Sequence, residues 1–172
     1  MAPIRSKPFR TYDNPLTSFN PDGSHTPFRL KELYAKRGRS AEDIVSFIER
    51  IVNRFGSDSG LFEKVSIKQL GDDVISSPFQ VIIHIGGKAL NYTNVGYGVS
   101  QILPVILEVL LSDETELFLI QQPEVHLHPK AQAAFGDFIF KSNQNENKSF
   151  IIETHSDFLI DRFRYRNGKN NE

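Results

Sequence analysis

Three short segments of this 172-residue chain carry residue types able to do chemistry. The first, Asn94 to Gln101 (NVGYGVSQ), precedes an apolar run. Gly96 and Gly98 let a backbone approach a ligand closely, Ser100 can cap the helix that follows, and the free N–H groups of a first helical turn seat phosphate oxygens. Pro104 fits that placement, since a first-turn proline breaks no internal bond. An ordinary glycine turn capping a core helix would carry the same residues. The second segment, Glu116 to Pro129 (ELFLIQQPEVHLHP), reads as a buried apolar strand delivering Gln121, Gln122 and Glu124 at its C-terminal end, with Pro129 opening a helix. The third, Phe150 to Ser156 (FIIETHS), is another apolar strand, ending in Thr154 and His155, with Ser156 as the cap of the next helix. Ligands of open α/β sheets bind at the carboxyl ends of strands. Neighbouring strands would therefore gather Gln121, Gln122, Glu124, Thr154 and His155 at one rim.

Other readings of these residues compete. His126 and His128 with Glu153 and His155 include plausible zinc ligands, yet alternating residues of an extended segment point to opposite sides and would not face one ion without a bend. Glu124 could support a metal or a water, or simply cap the following helix. Ser100 and Ser156 lack a nucleophile elbow, which argues against a hydrolase triad. His25 and His84 read as structural or solvent-facing. Arg162, Arg164, Arg166 and Lys169 most simply complement a helix dipole, with a phosphate-contacting patch as the other reading.

These segments need elements to position them. The first forty residues, with Pro8, Pro15, Pro21, Gly23 and Pro27, show neither helical nor strand period and read as an irregular arm. Residues 41–55 place Ile44, Phe47, Ile48, Ile51 and Phe55 on one helical face, with Ser40 as cap and Gly56 as the end. Residues 65–70 and 79–85, with a Gly86-Gly87 turn into 88–92, predict an antiparallel meander. Helix, strand, helix, strand, helix then follow at 101–111, 116–121, 129–141, 149–154 and 157–165, the rhythm of a parallel sheet. Residues 166–172 are polar and are expected to fray.

Composition bounds the partners. Twenty basic and 21 acidic residues nearly cancel, so no long-range field gathers nucleic acid or a membrane surface. The absence of cysteine excludes disulfides and thiolate metal sites and fits a reducing cytoplasm. The longest apolar run, Ile102 to Leu111, contains Pro104 and Glu108 and falls short of the roughly 20 residues that span a bilayer. The N-terminus has no apolar segment of a secretory signal. The expectation is a soluble, cytoplasmic protein with no membrane contact.

In order and spacing the three segments resemble ABC-type ATPases of the AAA-labelled, SMC- and Rad50-like branch, including the overcoming-lysogenization-defect-like ATPases met in bacterial defence loci. Within that resemblance Val95 to Ile106 is similar to the signature motif, which implies ATP contacts at Gly96, Gly98, Ser100 and Gln101. Leu117 to Gln122 resembles Walker B, Val125 to Pro129 the D-loop with Glu124, His126 and His128 in support, and His155 the switch histidine that reads a γ-phosphate. Residues 3–8 (PIRSKP) with Tyr12 resemble a Pro-Leu-Arg stretch of the same proteins. The resemblance implies ATP and Mg²⁺ as cofactors, Mg²⁺ at the Gln121 position, and Gln121, Gln122 and His155 as the catalytic set.

Two departures qualify it. No Gly-x-x-x-x-Gly-Lys-Ser/Thr phosphate loop occurs in the sequence. Gln121 and Gln122 stand where the resemblance implies an acid and then an acid or glutamine, and an amide can neither attract Mg²⁺ by charge nor take a proton. A Glu-to-Gln replacement of the kind that traps ATP and a naturally degenerate copy both explain the pair. The resulting expectation is a partial P-loop NTPase lobe of α/β class with a parallel sheet, an antiparallel meander and an irregular or helical N-terminal arm. Residues 1–60 form the arm and amphipathic helix, 61–166 the C-terminal ATPase lobe and 167–172 a disordered tail. Two apolar strands, LFLI and FII, need neighbours on both faces that the chain does not supply. The partner expected is a Walker A-bearing segment or sister ATPase chain in a homo- or hetero-oligomer, with a nuclease or nucleic acid further downstream. ATP hydrolysis is then expected only in the assembly, with little activity from the chain alone. The alternative is a non-catalytic pseudo-ATPase module that regulates a partner subunit or nuclease.

Overall fold

The computed structural model describes residues 1–2, 5–14, 16, 18–35, 39–73, 76–112, 116–146 and 148–169, with the backbone only of 39–41, 44 and 146. Pro3 and Ile4 of the arm, the side chains of Ser40 and Ile44 and the tail residues 170–172 fall outside what is described. The Ser40 backbone lies inside the helix Arg39–Ser59 rather than capping it, and residues 166–169, expected to fray, continue the helix Asp157–Lys169.

A single helix organises the chain. α3 (Tyr97–Leu111) buries every residue from Val99 to Leu110, and a helix apolar on all sides belongs at the centre of a core. α1 (Thr26–Ala35) and α2 (Arg39–Ser59) pack against it, α4 (Pro129–Glu146) packs on α2, and α5 (Asp157–Lys169) packs on α4. One sheet is antiparallel, with β1 (Lys64–Gln69), β2 (Phe79–Ile85) and β3 (Lys88–Asn91) in that order. The other is parallel and pairs β4 (Leu117–Gln121) with β5 (Ser149–Glu153). Both sheets match the α/β reading. Among the described residues no helix is long and apolar enough to cross a membrane.

Several local expectations change. The arm contains a helix, α1, because Pro27 falls in its first turn, where a missing N–H costs nothing. The arm also leans on both sheets: Gln121 donates its N–H to Met1 O at 3.2 Å, while Tyr12 and Phe79 exchange backbone bonds of 2.9 and 3.1 Å. Gly56 does not end α2. A Cβ there would lie 2.4 Å from the Phe62 ring, so this glycine admits Phe62, whereas Gly60, at φ +74°, follows the helix and breaks it. The face of α2 turns slightly, burying Ile48, Val52 and Phe55 and leaving Phe47 exposed against the Arg50 guanidinium.

Pro104 moves as well. Because α3 begins at Tyr97, this proline lies in the helix interior, where it removes the N–H that would meet the Ser100 carbonyl. The buried Tyr92 hydroxyl donates to that carbonyl at 3.1 Å instead. Burial raises the Tyr92 pKa well above 10.0, so the phenol keeps the proton it donates.

Candidate functional site

The rim follows from strand register. Gln121 is opposite Glu153 at the C-terminal ends of β4 and β5. Gln121 Nε2 donates to Glu153 Oε2 at 3.2 Å, and Gln122 N–H donates to Glu153 O at 2.8 Å. The chain then turns sharply. Gln122 (φ 43°) and His126 (φ 65°) both take left-handed conformations that side chains other than glycine seldom adopt, and Gln122 does so directly before Pro123. Such strain persists only where surroundings enforce it and is common at ligand sites.

A carboxylate fixes this turn to the end of the next strand. Glu124 Oε1 accepts the His155 N–H at 2.7 Å, while its buried Oε2 has no hydrogen-bond partner among the described residues. His155 itself is exposed. His128 caps α4, its Nδ1 accepting from Ala131 N at 3.3 Å. Ser156 caps α5 through Leu159 N at 3.0 Å. Gln132 joins the two, donating to Leu127 O at 2.7 Å and accepting from Ser156 Oγ at 2.5 Å.

The glycine segment lies against the same turn. Gly96 precedes α3 without a side-chain cap. Ser100, expected as the cap, sits one turn inside the helix and donates its hydroxyl to Tyr97 O at 3.0 Å. The shift follows from the helix starting at Tyr97, five residues before its apolar run begins at Ile102. Tyr97 and Gly98 N–H groups therefore occupy the first turn, where a helix offers no internal acceptor. A Cβ on Gly98 would stand 3.0 Å from His126 O, and the exposed Tyr97 ring is centred 5.2 Å from the His126 ring. Gln101 faces inward at 6% exposure, its Oε1 accepting the Arg5 N–H at 3.2 Å.

Three residues at this site were not picked out as site residues by sequence reasoning. Glu153 read only as a possible zinc ligand, although strand register alone sets it opposite Gln121. Gln132 gave no signal, since its two bonds depend on the fold. Arg5, in the arm, is buried under the rim and donates from Nη2 to Gln121 O at 3.3 Å. Burial pulls its pKa down to about 10 against the pull of Glu124 in the other direction, so it stays charged at neutral pH.

Elsewhere, Arg162 and Arg166 both clasp Asp137 on α4, at 2.8–2.9 Å and 2.6–3.2 Å. That bond, more than a helix dipole, occupies the basic end of α5. His25 is buried with Nε2 2.9 Å from Glu108 Oε2, and His84 joins Ser66 across β1 and β2 at 3.0 Å.

Residues 29–161 match the family described as "AAA domain, putative AbiEii toxin, Type IV TA system". The chain belongs to this AAA-domain family. No curated protein matches it significantly. Among solved structures the AAA-domain chain is similar to an SmcHead bound to the C-winged helix domain of ScpA, at 13% identity and TM-score 0.57 over 77% of this chain and 42% of that one. It is also similar to the Smc head domain with a coiled coil and joint derived from Pyrococcus yayanosii, at 13% identity and TM-score 0.54 over 72% and 25%. A third is a chain from work on ATP-driven dimerization and DNA-stimulated activation of SMC ATPases, at 13% identity and TM-score 0.53 over 80% and 77%. The fold is thus that of an SMC-type ATPase head, and the chain spans less than half the length of the first two.

The donor set of this AAA domain does not build a Mg²⁺ site by itself. Gln121 and Gln122 present neutral amides, and among the described residues no three His, Asp or Glu side chains group to hold a metal ion. The first turn of α3 and the exposed His155 are, by chemistry, suited to phosphate oxygens.

Proposed function

We propose that the chain is the ATP-sensing lobe of an ABC-type ATPase that works as a dimer or split assembly. The observation that carries the reading is the rim itself: Gln121, Gln122 and Glu124 meet His155 through β4–β5 register and the 2.7 Å bond of Glu124 to the His155 backbone. A phosphate loop, from a further segment of a longer protein or from a sister chain, holds ATP. The lobe answers with two contacts. Gly96 to Gln101, acting as the signature segment through first-turn N–H groups rather than the buried Ser100 and Gln101 side chains, faces the nucleotide of the opposite subunit. His155, as the switch, donates to the γ-phosphate.

Chemistry at the rim is limited by the amide pair. At the Walker B-like positions Gln122 orients a water by hydrogen bonds but accepts no proton, and Gln121 offers an oxygen without charge. Mg²⁺ carried in with the nucleotide phosphates would supply the charge neutralisation that the two amides do not. Glu124, in the D-loop-like turn with His126 and His128, keeps the backbone at His155 in place. The assembly therefore binds ATP and turns it over slowly. The family description ties relatives to toxin–antitoxin systems, which accords with a role in antiphage defence and a downstream nuclease or nucleic-acid target.

One observation favours the non-catalytic alternative. The Gln121 amide is engaged by Glu153, so a pseudo-ATPase lobe that only binds and regulates a partner would look the same. The deciding experiment measures ATP binding and hydrolysis by the chain with and without a phosphate-loop-bearing segment, in wild type and Gln121→Glu. The expected result is ATP binding only in the assembly and turnover that rises about tenfold on restoring the acid. Robust hydrolysis by the purified chain alone would sink the proposal, and stable association without nucleotide binding would establish the pseudo-ATPase.

A further inference from the structure

The three segments of the proposed site converge on a residue outside all of them. Arg5 is 3% exposed, on an arm whose sequence gives no hint of a core position. Its main-chain N–H meets Gln101 Oε1 at 3.2 Å, behind the glycine segment. Its Nη2 meets Gln121 O at 3.3 Å, where β4 ends. The negative charge that most favours its ionised form is Glu124, and Glu124 Oε1 holds the His155 N–H at 2.7 Å. One buried residue thus meets α3 through its main-chain N–H and the end of β4 through its guanidinium, with Glu124, which holds the end of β5, as its nearest influential negative charge.

A buried cation is tolerated only when paired and hydrogen-bonded, and a guanidinium, with a flat fork of five donors, can serve two directions at once. The turn it supports is the strained one, with Gln122 and His126 both left-handed. The turn closes on itself through Val125 N–H to Gln122 O at 3.2 Å and Leu127 N–H to Glu124 O at 2.9 Å, but neither left-handed position is a glycine, so contacts from outside the turn add to the restraint. Arg5 is placed to supply it at Gln121, and Glu124 at His155.

We propose that Arg5 is a positioning residue of the site, holding the 121–126 turn against the start of α3 and, through Glu124, setting the backbone at His155. That this backbone serves a nucleotide rests on the function proposed above; the mechanical coupling does not. Arg5 itself touches no substrate. Its charge orients Glu124, and its fork fixes the carbonyl from which the turn departs.

Amide hydrogen exchange on the full chain, read residue by residue by NMR, tests the coupling in wild type, Arg5→Met, Arg5→Gln and Arg5→Lys. Loss of the charge in Arg5→Met or Arg5→Gln is expected to speed exchange of the His155 and Gln122 amides at least tenfold while β2 amides keep wild-type rates. Arg5→Lys, which retains the charge, is expected to stay within about threefold of wild type at His155. Unchanged His155 exchange in the neutral variants would overturn the proposal. So would equal acceleration in β2, which marks general loosening, or an Arg5→Lys effect as large as that of Arg5→Gln, which marks packing alone. If Arg5→Met does not fold, the Gln and Lys variants decide. In the assembly with a phosphate-loop-bearing segment, Arg5→Gln is expected to lower kcat at least tenfold with KM little changed, and a matching rise in KM instead would count against a positioning role. Failure of the wild-type assembly to bind ATP would refute the proposed function and leave the exchange result intact.

Discussion

The two sheets of this protein are finished to different degrees. In the antiparallel sheet, Val81 and Ile83 of β2 are fully buried, and Phe79 at its start stacks on Tyr12 of the arm with ring centroids 5.1 Å apart. In the parallel pair, Phe118 and Ile120 face the core, but Leu117, Leu119 and Ile151 on the other face are 58%, 58% and 61% exposed. Parallel strands are ordinarily covered on both faces. The chain's own stability is therefore concentrated around α3 and the antiparallel sheet, while the strands that carry the rim show an apolar surface of the kind that marks an interaction site. Under the proposed function this surface belongs against the phosphate-loop segment.

The largest expected effect tests that contrast. Phe79→Ala should lower the free energy of unfolding by about 3–5 kcal/mol, the usual cost of deleting a buried aromatic. Leu119→Ala should cost less than about 1 kcal/mol, since its side chain is already largely in water. Urea unfolding of the two variants decides. Equal losses would mean that the outer face of β4 is covered in the free protein, and the comparison would fail.

A middle-sized effect sharpens the account of the finished side. Tyr92→Phe leaves the Ser100 carbonyl buried without a donor, which should cost about 1–3 kcal/mol. Pro104→Ala restores an N–H in register with that carbonyl, so the double variant should recover about half or more of the Tyr92→Phe loss. A double-mutant cycle by chemical denaturation measures the coupling. Strict additivity would show that Tyr92 does not compensate for the proline.

How much of this was legible in the sequence depends on the range of the interaction. The meander, both apolar strands and α4 and α5 came from local period and turn chemistry, as did the Ser156 cap. The grouping of Gln121, Gln122 and Glu124 with His155 needed only the assumption that the two strands are neighbours. Misreadings arose where one residue type serves two purposes. Pro27 and Pro104 are indistinguishable as letters, yet one opens α1 and the other interrupts α3 with Tyr92 as its compensation. Gly56 and Gly60 differ likewise, the first admitting a ring and the second breaking a helix. The stretch around Arg5 was singled out by resemblance, but its contacts were out of reach for a further reason: Gln101 and Gln121 are about a hundred residues away, and no local pattern records such a contact.

The smallest effect concerns how the less finished half is held from behind. α5 buries only Leu159 among its described residues, and its other anchor is the clasp of Arg162 and Arg166 on Asp137. Burial alone would raise the Asp137 pKa, but the hydrogen bonds from Arg166 and Arg162 outweigh it and hold the carboxyl at about 2, below the ordinary 3.8. A carboxylate depressed in the folded state contributes stability above its unfolded pKa and loses it as pH falls through the folded one. The shift corresponds to roughly 2.5 kcal/mol at most, and screening reduces it to about 1 kcal/mol because the arginine side chains are 36% and 35% exposed. Asp137→Asn should therefore destabilise the protein by about that amount at pH 7, and the difference should shrink below about pH 4 and vanish near pH 2. Urea midpoints at pH 7, 4 and 2.5 measure it. A gap that stays constant across this range would assign the loss to the geometry of neutral hydrogen bonds, and α5 would then be held by packing in the same manner as the antiparallel half.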